Sequence, residues 1–271
     1  MIGDDEVEVA LTAVQVGRAA GVGHVVAAGA RAQGLDGRQV LVGPIDPCGE
    51  CDVCRAGGVA VCPTARRRDA LADRAVVAGR WVVPLGDGLD LASPAAAAVA
   101  GDVALAYTLY ARIGVGPRDP VVVVGGSPIA RFLVEILRAK GVTPVALAGP
   151  GAWADWLVDK GVAVARDRAE VAAAFAANSL GTRPWRVLCA QPTEIDAAVE
   201  LAGPRAVLGV LAPAAVPGAA IAREVTVIGV AGAHPDLVVE AAAMCVRAEI
   251  DLDDGISQTP DPLRSHVRRV R

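Results

Sequence analysis

The sequence predicts an α/β protein in which a β-rich first third carries a metal lobe and a doubly wound parallel sheet follows. Two observations predict this fold. Residues 6–84 contain short alternating or apolar runs bounded by Gly, Asp and Pro, a pattern typical of antiparallel strands. After Pro94, apolar strands alternate with helical segments, which is typical of parallel βαβ units.

The individual elements follow from these patterns. We predict strands over residues 6–16, 22–28 and 39–44, a strand pair over 76–84, and a helix over 94–113. The run of four valines at 121–124 is typical of a strand that is buried on both faces. Further alternation predicts five more strands and five more helices between residues 125 and 248.

Four cysteines mark the metal lobe, with the spacing C-x2-C-x2-C-x7-C. They are Cys48, Cys51, Cys54 and Cys62. Four thiolates in a short loop form a closed tetrahedral site, which zinc prefers and which leaves no position for a substrate. We therefore expect one structural zinc ion. The acidic start MIGDDEVEVA is unlike a signal peptide, so a reduced, cytoplasmic protein is expected rather than a disulfide framework.

The composition restricts the classes of function. The chain has 271 residues, 54% of them hydrophobic and 3% aromatic, and a net charge of -4. Its apolar runs are interrupted too early to span a bilayer, so no membrane segment is expected. Few aromatic residues and no basic face argue against nucleic-acid binding. The cluster Arg66-Arg67-Arg68 is interpreted as a solvated loop face, with phosphate contact as the alternative. Cys189 and Cys245 lie in apolar surroundings and are interpreted as buried, unreactive side chains.

A glycine-containing turn after the valine strand is the candidate nucleotide site. It consists of Gly125, Gly126, Ser127, Pro128, Ile129 and Ala130. Compared with the dinucleotide pattern G-x-G-x-x-G, it keeps the first glycine, has Ser127 at the second and Ala130 at the third. Such a turn brings backbone amides and a helix N-terminus close to a pyrophosphate, although Ser127 narrows that space.

The next strand ends without the carboxylate that binds the ribose of NAD. It reads Leu147-Ala148-Gly149-Pro150-Gly151, so Gly149 is a candidate cofactor contact. The missing acid weakens the case for NAD and mildly favours NADP, for which Arg166 and Arg168 are candidate phosphate ligands. The alternative is a Rossmann-type scaffold that no longer binds a nucleotide.

The cysteine loop followed by this sheet resembles the medium-chain dehydrogenase/reductase superfamily, in its zinc alcohol dehydrogenase branch. Further similar segments are Leu35–Pro44, Gly101–Val115 and Glu224–Gly232. The resemblance implies three parts. They are a reduced GroES-like domain over residues 1–100 with a zinc lobe at 44–68, a Rossmann-type cofactor domain over 101–234, and a segment over 235–271 that returns to the first domain.

The chain also departs from that branch, whose active members hold a second, catalytic zinc. By resemblance, the first ligand position of this catalytic zinc falls on Gly17. The Gly-His-Glu segment that carries the second ligand is deleted, and the third ligand position falls on Gly101 or Asp102. No catalytic ligand set remains, and Asp102 is left as the candidate acid/base group. His24 falls in the following strand and is interpreted as structural. The other candidates are interpreted as packing, capping or solvated residues: Tyr107, Tyr110, His234 and His266.

Two functions remain open. The first is an NAD(P)-dependent, alcohol dehydrogenase-like oxidoreductase without catalytic zinc, acting on a small carbonyl, enoyl or alcohol substrate. The second is a catalytically inactive, zinc-stabilised scaffold or binding protein of the same fold. An ordinary zinc alcohol dehydrogenase would need a second ligand set. We also expect a homodimer through the strand Val225–Val230, because an apolar edge strand is usually paired.

Overall fold

The computed structural model of the chain describes residues 2–68, 70–86, 89, 91–211 and 218–270. The strands are β1 (Glu6–Gln15), β2 (Ala20–Ala28), β3 (Gln39–Val42), β4 (Ile45–Asp46), β5 (Arg66–Arg67), β6 (Arg74–Ala78), β7 (Val83–Pro84), β8 (Val121–Val124), β9 (Val145–Leu147), β10 (Ala163–Ala165), β11 (Arg186–Cys189), β12 (Val207–Leu211), β13 (Thr226–Val230), β14 (Ile256–Ser257) and β15 (Ser265–Arg269). The α-helices are α1 (Asp52–Arg55), α2 (Ser93–Ala98), α3 (Ala104–Ile113), α4 (Pro128–Ala139), α5 (Ala152–Asp159), α6 (Arg168–Ala177), α7 (Ile195–Leu201), α8 (Gly218–Ala222), α9 (Pro235–Val246) and α10 (Leu252–Gly255).

The chain divides into two compact units. Unit 1 comprises Met1–Leu105 and Gly232–Arg271, and unit 2 comprises Ala106–Ala231. The predicted boundaries, after residues 100 and 234, lie a few residues from these divisions. The α/β fold, with a β-rich unit and a doubly wound parallel unit, is confirmed.

Unit 1 is built on a seven-stranded sheet. Its order is β14-β15-β1-β2-β3-β7, and β6 also pairs with β1. The alternation in β1 is explained by burial, because Val7, Val9 and Leu11 enter the core while the residues between them are half-buried. The C-terminal strand β15 pairs with β1, so the two ends of the chain meet in one sheet.

The metal lobe is a loop closed at its base by a small antiparallel sheet. Ile45 pairs with Arg67 and Asp46 pairs with Arg66, so β4 and β5 bring the two ends of the loop together. The four cysteines lie between these strands. The predicted strand pair over residues 76–84 is different in the structure. A 3-10 turn at Gly79–Trp81 separates β6 from β7, and they pair with β1 and β3 instead of with each other.

Unit 2 contains a six-stranded parallel sheet with the order β10-β9-β8-β11-β12-β13. Counted from its first strand, this order is 3-2-1-4-5-6, the arrangement of dinucleotide-binding folds. All four valines of β8 are at most 1% exposed, as expected for a central strand covered on both faces. The carboxyl ends of these strands form the edge where ligands of such sheets bind.

The predicted helix over residues 94–113 is interrupted by a π-helical turn. Helix α2 continues into a π-turn at Val99–Val103 and then into α3. By length and composition alone, Pro94–Ile113 could cross a membrane, with a mean hydropathy of 1.2, but 78% of it is buried inside the protein. A core helix of a soluble protein has the same properties. π-turns often occur at functional sites, and Asp102 lies in this one.

Candidate functional site

The four cysteine thiols of the lobe converge on one point. All four sulfurs lie within 4.8 Å of one another, and the Sγ atoms of Cys62 and Cys48 are 3.6 Å apart. Those of Cys51 and Cys62 are 3.9 Å apart, and those of Cys48 and Cys54 are 4.0 Å apart. Zinc–sulfur bonds of ~2.3 Å in a tetrahedron place sulfurs about 3.8 Å apart, so the cluster fits one zinc ion.

The sulfurs of the cluster have hydrogen-bond partners in the surrounding backbone and in the side chain of Thr64. Backbone amides of Cys48, Cys51 and Cys54 each donate to a cysteine sulfur, at 3.4–3.5 Å. A hydrogen bond from Thr64 lowers the pKa of Cys48 to about 5 and also lowers the pKa of Cys62. Burial raises the pKa of Cys54 to about 12. A bound divalent cation would hold all four as thiolates, which is how such metals stabilise a lobe.

Side chains around the lobe attach it to the rest of unit 1. The indole Nε1 of Trp81 donates to the carbonyl oxygen of Pro47 at 2.7 Å, and Arg80 donates to the carbonyl oxygen of Cys48. The arginine cluster is also used structurally. Arg66 and Arg68 lie 2.7 Å and 3.4 Å from the same carboxylate oxygen of buried Asp46. Arg66 is 61% exposed, as expected for a solvated loop face, whereas Arg68 is only 16% exposed and serves as an ion-pair partner of Asp46.

The glycine turn lies at the carboxyl end of β8. Gly125 has a φ of +102°, and a Cβ there would come within 2.7 Å of the Cβ of Gln191. Ser127 is the N-cap of α4, with its hydroxyl accepting from the amide of Ala130 at 3.2 Å. Pro128 occupies the first helical turn, as predicted. Because the Ser127 side chain is folded back onto the helix terminus, it does not point out of the turn as a free group.

Two of the turn's amides are already used within unit 2. The amide of Gly126 donates to Oε1 of Gln191 at 3.2 Å, and the amide of Ala130 is capped by Ser127. Among residues the structure describes, the amides of Ser127 and Ile129 have no protein acceptor. The turn therefore keeps two amide donors for an anion at the N-terminus of a twelve-residue helix.

A pair of tryptophans lies against this turn. The ring of Trp153 would be 3.0 Å from a Cβ at Gly126, so any larger residue there would require the ring to shift by a few tenths of an ångström. Trp153 stacks on Trp156 with ring centroids 5.3 Å apart, and the guanidinium of Arg131 lies over Trp156 at 4.9 Å. The indole nitrogen of Trp153 is buried and, within the described ranges, has no hydrogen-bond acceptor. An orphaned donor beside the glycine turn is consistent with a ligand that supplies an oxygen there.

The second strand ends as the sequence predicts, without a carboxylate. Gly149 follows β9, and a Cβ there would meet nothing within 4 Å. Arg166 pairs with Glu170 at 3.5 Å, and its side chain is 71% exposed. Arg168 is the first residue of α6 and is also exposed. Neither arginine is held in a position dedicated to a phosphate.

Asp102 is the centre of a buried polar cluster in unit 1. Its side chain is 3% exposed, and Nε of Arg18 lies 2.7 Å from Oδ1. Oδ2 accepts from Oγ of Ser265 at 2.8 Å and from Nε2 of Gln15. The amide of Asp102 in turn donates to Oε1 of Gln15 at 3.1 Å. A carboxylate engaged by three side-chain donors holds its neighbours in place, and this argues against the predicted acid/base role.

The remaining candidates take structural positions. His24 is an exposed residue of β2, in the strand where the sequence places it. Tyr107 is buried, and its ring centroid lies 5.9 Å from the ring centroid of Tyr110. His234 caps α9 by accepting from the amide of Asp236 at 3.2 Å. His266 lies in β15, where its carbonyl oxygen accepts from the amide of Val16.

Sequence reasoning missed several residues that shape these sites. Gln191 and Trp153 lie at the carboxyl edge of the parallel sheet, and their position after β11 and after β9 is a signal that could have found them. Gln15, Arg18 and Ser265 meet Asp102 across 84 to 163 residues of sequence. Patterns among neighbouring residues in the sequence carry no information about contacts between residues so far apart.

Solved structures share this fold over nearly the whole chain. A protein described as a short chain alcohol dehydrogenase from Escherichia coli CFT073, solved with NADH, matches with a TM-score of 0.77, 18% identity, and coverage of 94% of this chain and 84% of that one. A putative zinc-binding dehydrogenase from Clostridium scindens ATCC 35704 matches with a TM-score of 0.77, 17% identity and coverage of 95% and 84%. Galactitol-1-phosphate dehydrogenase from Escherichia coli matches with a TM-score of 0.78, 18% identity and coverage of 95% and 86%.

No family model matches the sequence. At identities below one fifth, the structural likeness shows the fold. The chain therefore shares the fold of these solved dehydrogenases, as the cysteine loop followed by a parallel sheet predicts. The function of the chain has to be argued from its own residues.

Proposed function

We propose that the chain is an alcohol dehydrogenase-like oxidoreductase that binds a nicotinamide dinucleotide and uses no catalytic zinc. The observation that carries this proposal is the turn after β8, in which Gly125 adopts a φ of +102° and two amides at the start of α4 have no acceptor among the described residues. The turn lies at the carboxyl edge of a sheet with the 3-2-1-4-5-6 order, where dinucleotides bind.

The residues present are suited to the pyrophosphate more than to the ribose. The amides of Ser127 and Ile129 would hold a phosphate oxygen, with the buried indole nitrogen of Trp153 as a further donor beside them. No carboxylate follows β9, where Gly149 leaves open space, so a ribose phosphate meets no repulsion from an acid there. NADP is therefore preferred over NAD in this proposal. The bound cofactor supplies hydride transfer.

The zinc is assigned to the lobe, where it holds the loop. The position at which the resemblance expects a catalytic ligand is taken by Asp102, which is bound by Arg18, Gln15 and Ser265. A small carbonyl, enoyl or alcohol substrate would then react mainly because it is positioned against the nicotinamide. The chain would form a cytoplasmic homodimer through β13, one of the two outer strands of its sheet, in which Val227 and Ile228 are half-buried.

A second function is an inactive scaffold of the same fold. The specific observation in its favour is that the turn is partly closed by its own side chains. Oε1 of Gln191 accepts the hydrogen bond of the Gly126 amide, and the ring of Trp153 packs against Gly126. If these contacts persist in solution, a dinucleotide has fewer donors than in a turn with three glycines.

Substitution at Ser127 separates the two functions. Aspartate and asparagine are both good N-caps, so Ser127→Asp and Ser127→Asn should preserve α4, but only aspartate places a negative charge against the pyrophosphate. We expect saturable binding of NADPH to the wild type and to Ser127→Asn by nicotinamide fluorescence and calorimetry. Binding to Ser127→Asp should weaken at least about tenfold. Absence of NADPH and NADH binding to the folded wild type would favour the scaffold.

A further inference from the structure

We propose that Arg18 is the anion-binding residue of a second site in unit 1, which receives a small oxyanion of the carboxylate class. The guanidinium of Arg18 is held from one side by a buried carboxylate and presents its other edge outward. This site does not involve the glycine turn, and its assignment does not depend on dinucleotide binding.

The anchor of the site is rigid. Asp102 lies in the π-helical turn, is 3% exposed at its side chain, and is held by the buried side chains of Gln15 and Ser265 as well as by Arg18. Gly101 next to it approaches Gln15 so closely that a Cβ would lie 1.8 Å from Oε1. The carboxylate therefore has little freedom to move, and it fixes the Nε edge of the guanidinium.

The outward edge of Arg18 is available to a ligand. Its bond to Asp102 uses Nε, and no acceptor for its terminal amino groups is found among the residues that the structure describes. The side chain is 41% exposed, in contrast to the buried carboxylate that it contacts. A planar guanidinium with two parallel donors free is the group that proteins use for bidentate binding of carboxylates and phosphates.

The backbone around Arg18 is also unusual. Gly17 has a φ of +78°, and Ala19, a buried residue that is not glycine, has a φ of +50°. A left-handed alanine is unfavourable because its Cβ crowds the backbone, and such residues cluster at functional sites. The left-handed conformation is unfavourable at Ala19 alone, because glycine adopts it freely at Gly17, and the turn formed by these two residues fixes the backbone of Arg18.

The charges of the adjacent strand favour an anion. Strand β15 pairs with β1 so that Arg268 lies opposite Val14 and Arg269 opposite Ala13. Both arginines are exposed, and within the described residues neither has a carboxylate partner. His266 also lies on this strand and is half-buried. Strand β15 therefore adds two exposed cations, Arg268 and Arg269, beside β1, and positive charge raises the local attraction for an oxyanion.

A titration without nucleotide tests the proposal. Acetate is the carboxylate probe and inorganic phosphate is the tetrahedral probe, and the readout is the Nε–Hε resonance of Arg18, assigned by its loss in Arg18→Lys. We expect a saturable shift with acetate in the millimolar range. A stronger response to phosphate than to acetate would overturn the assignment to the carboxylate class.

Variants separate anion binding from a purely structural ion pair. Arg18→Lys keeps the charge beside Asp102 but loses the planar fork, so acetate affinity measured by calorimetry should fall about tenfold while the melting temperature changes little. Arg112→Gln, which removes an exposed arginine in unit 2, is the matched control and should bind as the wild type does. The proposal is overturned by no saturable shift up to about 100 mM of either anion, or by undiminished binding to Arg18→Lys.

Discussion

The Nε atom of Arg18 lies 2.7 Å from Oδ1 of Asp102, and this ion pair joins residues that are 84 positions apart in the sequence. Together with Gln15 and Ser265, it ties the first strand, the π-helical turn and the last strand of unit 1 to one carboxylate. The position at which the resemblance expects a metal ligand is thus occupied by hydrogen-bonded side chains.

Replacing Asp102 by asparagine should destabilise the protein. The buried carboxylate would lose its charge, leaving Arg18 without its counter-ion and Ser265 with a weaker acceptor. Breaking a buried pair costs several kcal/mol, but Arg18 is partly solvated, so we expect a loss of about 2–3 kcal/mol in the free energy of unfolding. Urea denaturation measures it. Asp52→Asn, at an exposed position, is the control and should change the free energy by less than about 0.5 kcal/mol.

Alanine at Gly101 should destabilise the protein although alanine is the better helix former. Its Cβ would lie 1.8 Å from Oε1 of Gln15 and would displace the side chain that binds Asp102. Helix propensity alone predicts a gain of about 1 kcal/mol, so a measured loss of about 1–3 kcal/mol would show that the close approach dominates. Gly34→Ala, where a Cβ meets nothing within 4 Å, should be close to neutral in the same denaturation experiment.

The zinc lobe should depend on each of its four cysteines. Cys54→Ser removes one sulfur from a cluster whose members lie within 4.8 Å of one another, and we expect less than one zinc per chain and a lower melting temperature. Elemental analysis and thermal unfolding measure the two quantities. Cys245→Ser, at a buried cysteine outside the cluster, should keep the metal. Full zinc content and an unchanged melting temperature in Cys54→Ser would contradict the structural-zinc assignment.

The thiol of Cys189 should be inert in the folded protein. Burial raises its pKa to about 11, so the folded state holds its proton more tightly than the unfolded chain does. Its contribution to stability is present below the unfolded pKa and is lost as the pH rises toward 11. At pH 8, we expect iodoacetamide to modify Cys189 about a hundredfold more slowly in the native protein than in urea. Peptide mass spectrometry gives both rates, and equal rates would refute the burial argument.

The edge strand β13 should pair between two copies of the chain. It is the last strand of its sheet, and Val227 and Ile228 are only half-buried within one copy. We expect a dimer by light scattering at micromolar concentration. Ile228→Lys, which places a charge on the edge, should shift the protein toward monomer while the far-ultraviolet circular dichroism is kept. A monomeric wild type would exclude this dimer.

The sequence alone determined the fold class and the metal lobe, because both depend on local information. Cysteine spacing within a short loop fixes a ligand cage, and the apolar run of Val121–Val124 followed by Gly125 fixes a buried strand and its turn. The alternation of strands and helices then leaves the doubly wound sheet as the arrangement that buries every apolar strand.

Only the tertiary structure decided what the polar residues do. Asp102 became the centre of a cluster because Gln15, Arg18 and Ser265 reach it from distant parts of the chain, and Gln191 and Trp153 reached the glycine turn from two other loops. Such meetings depend on how packed elements place their side chains in space. The sequence records only each residue's immediate neighbours, so it could identify Asp102 as a candidate but could not show that its oxygens are already bound.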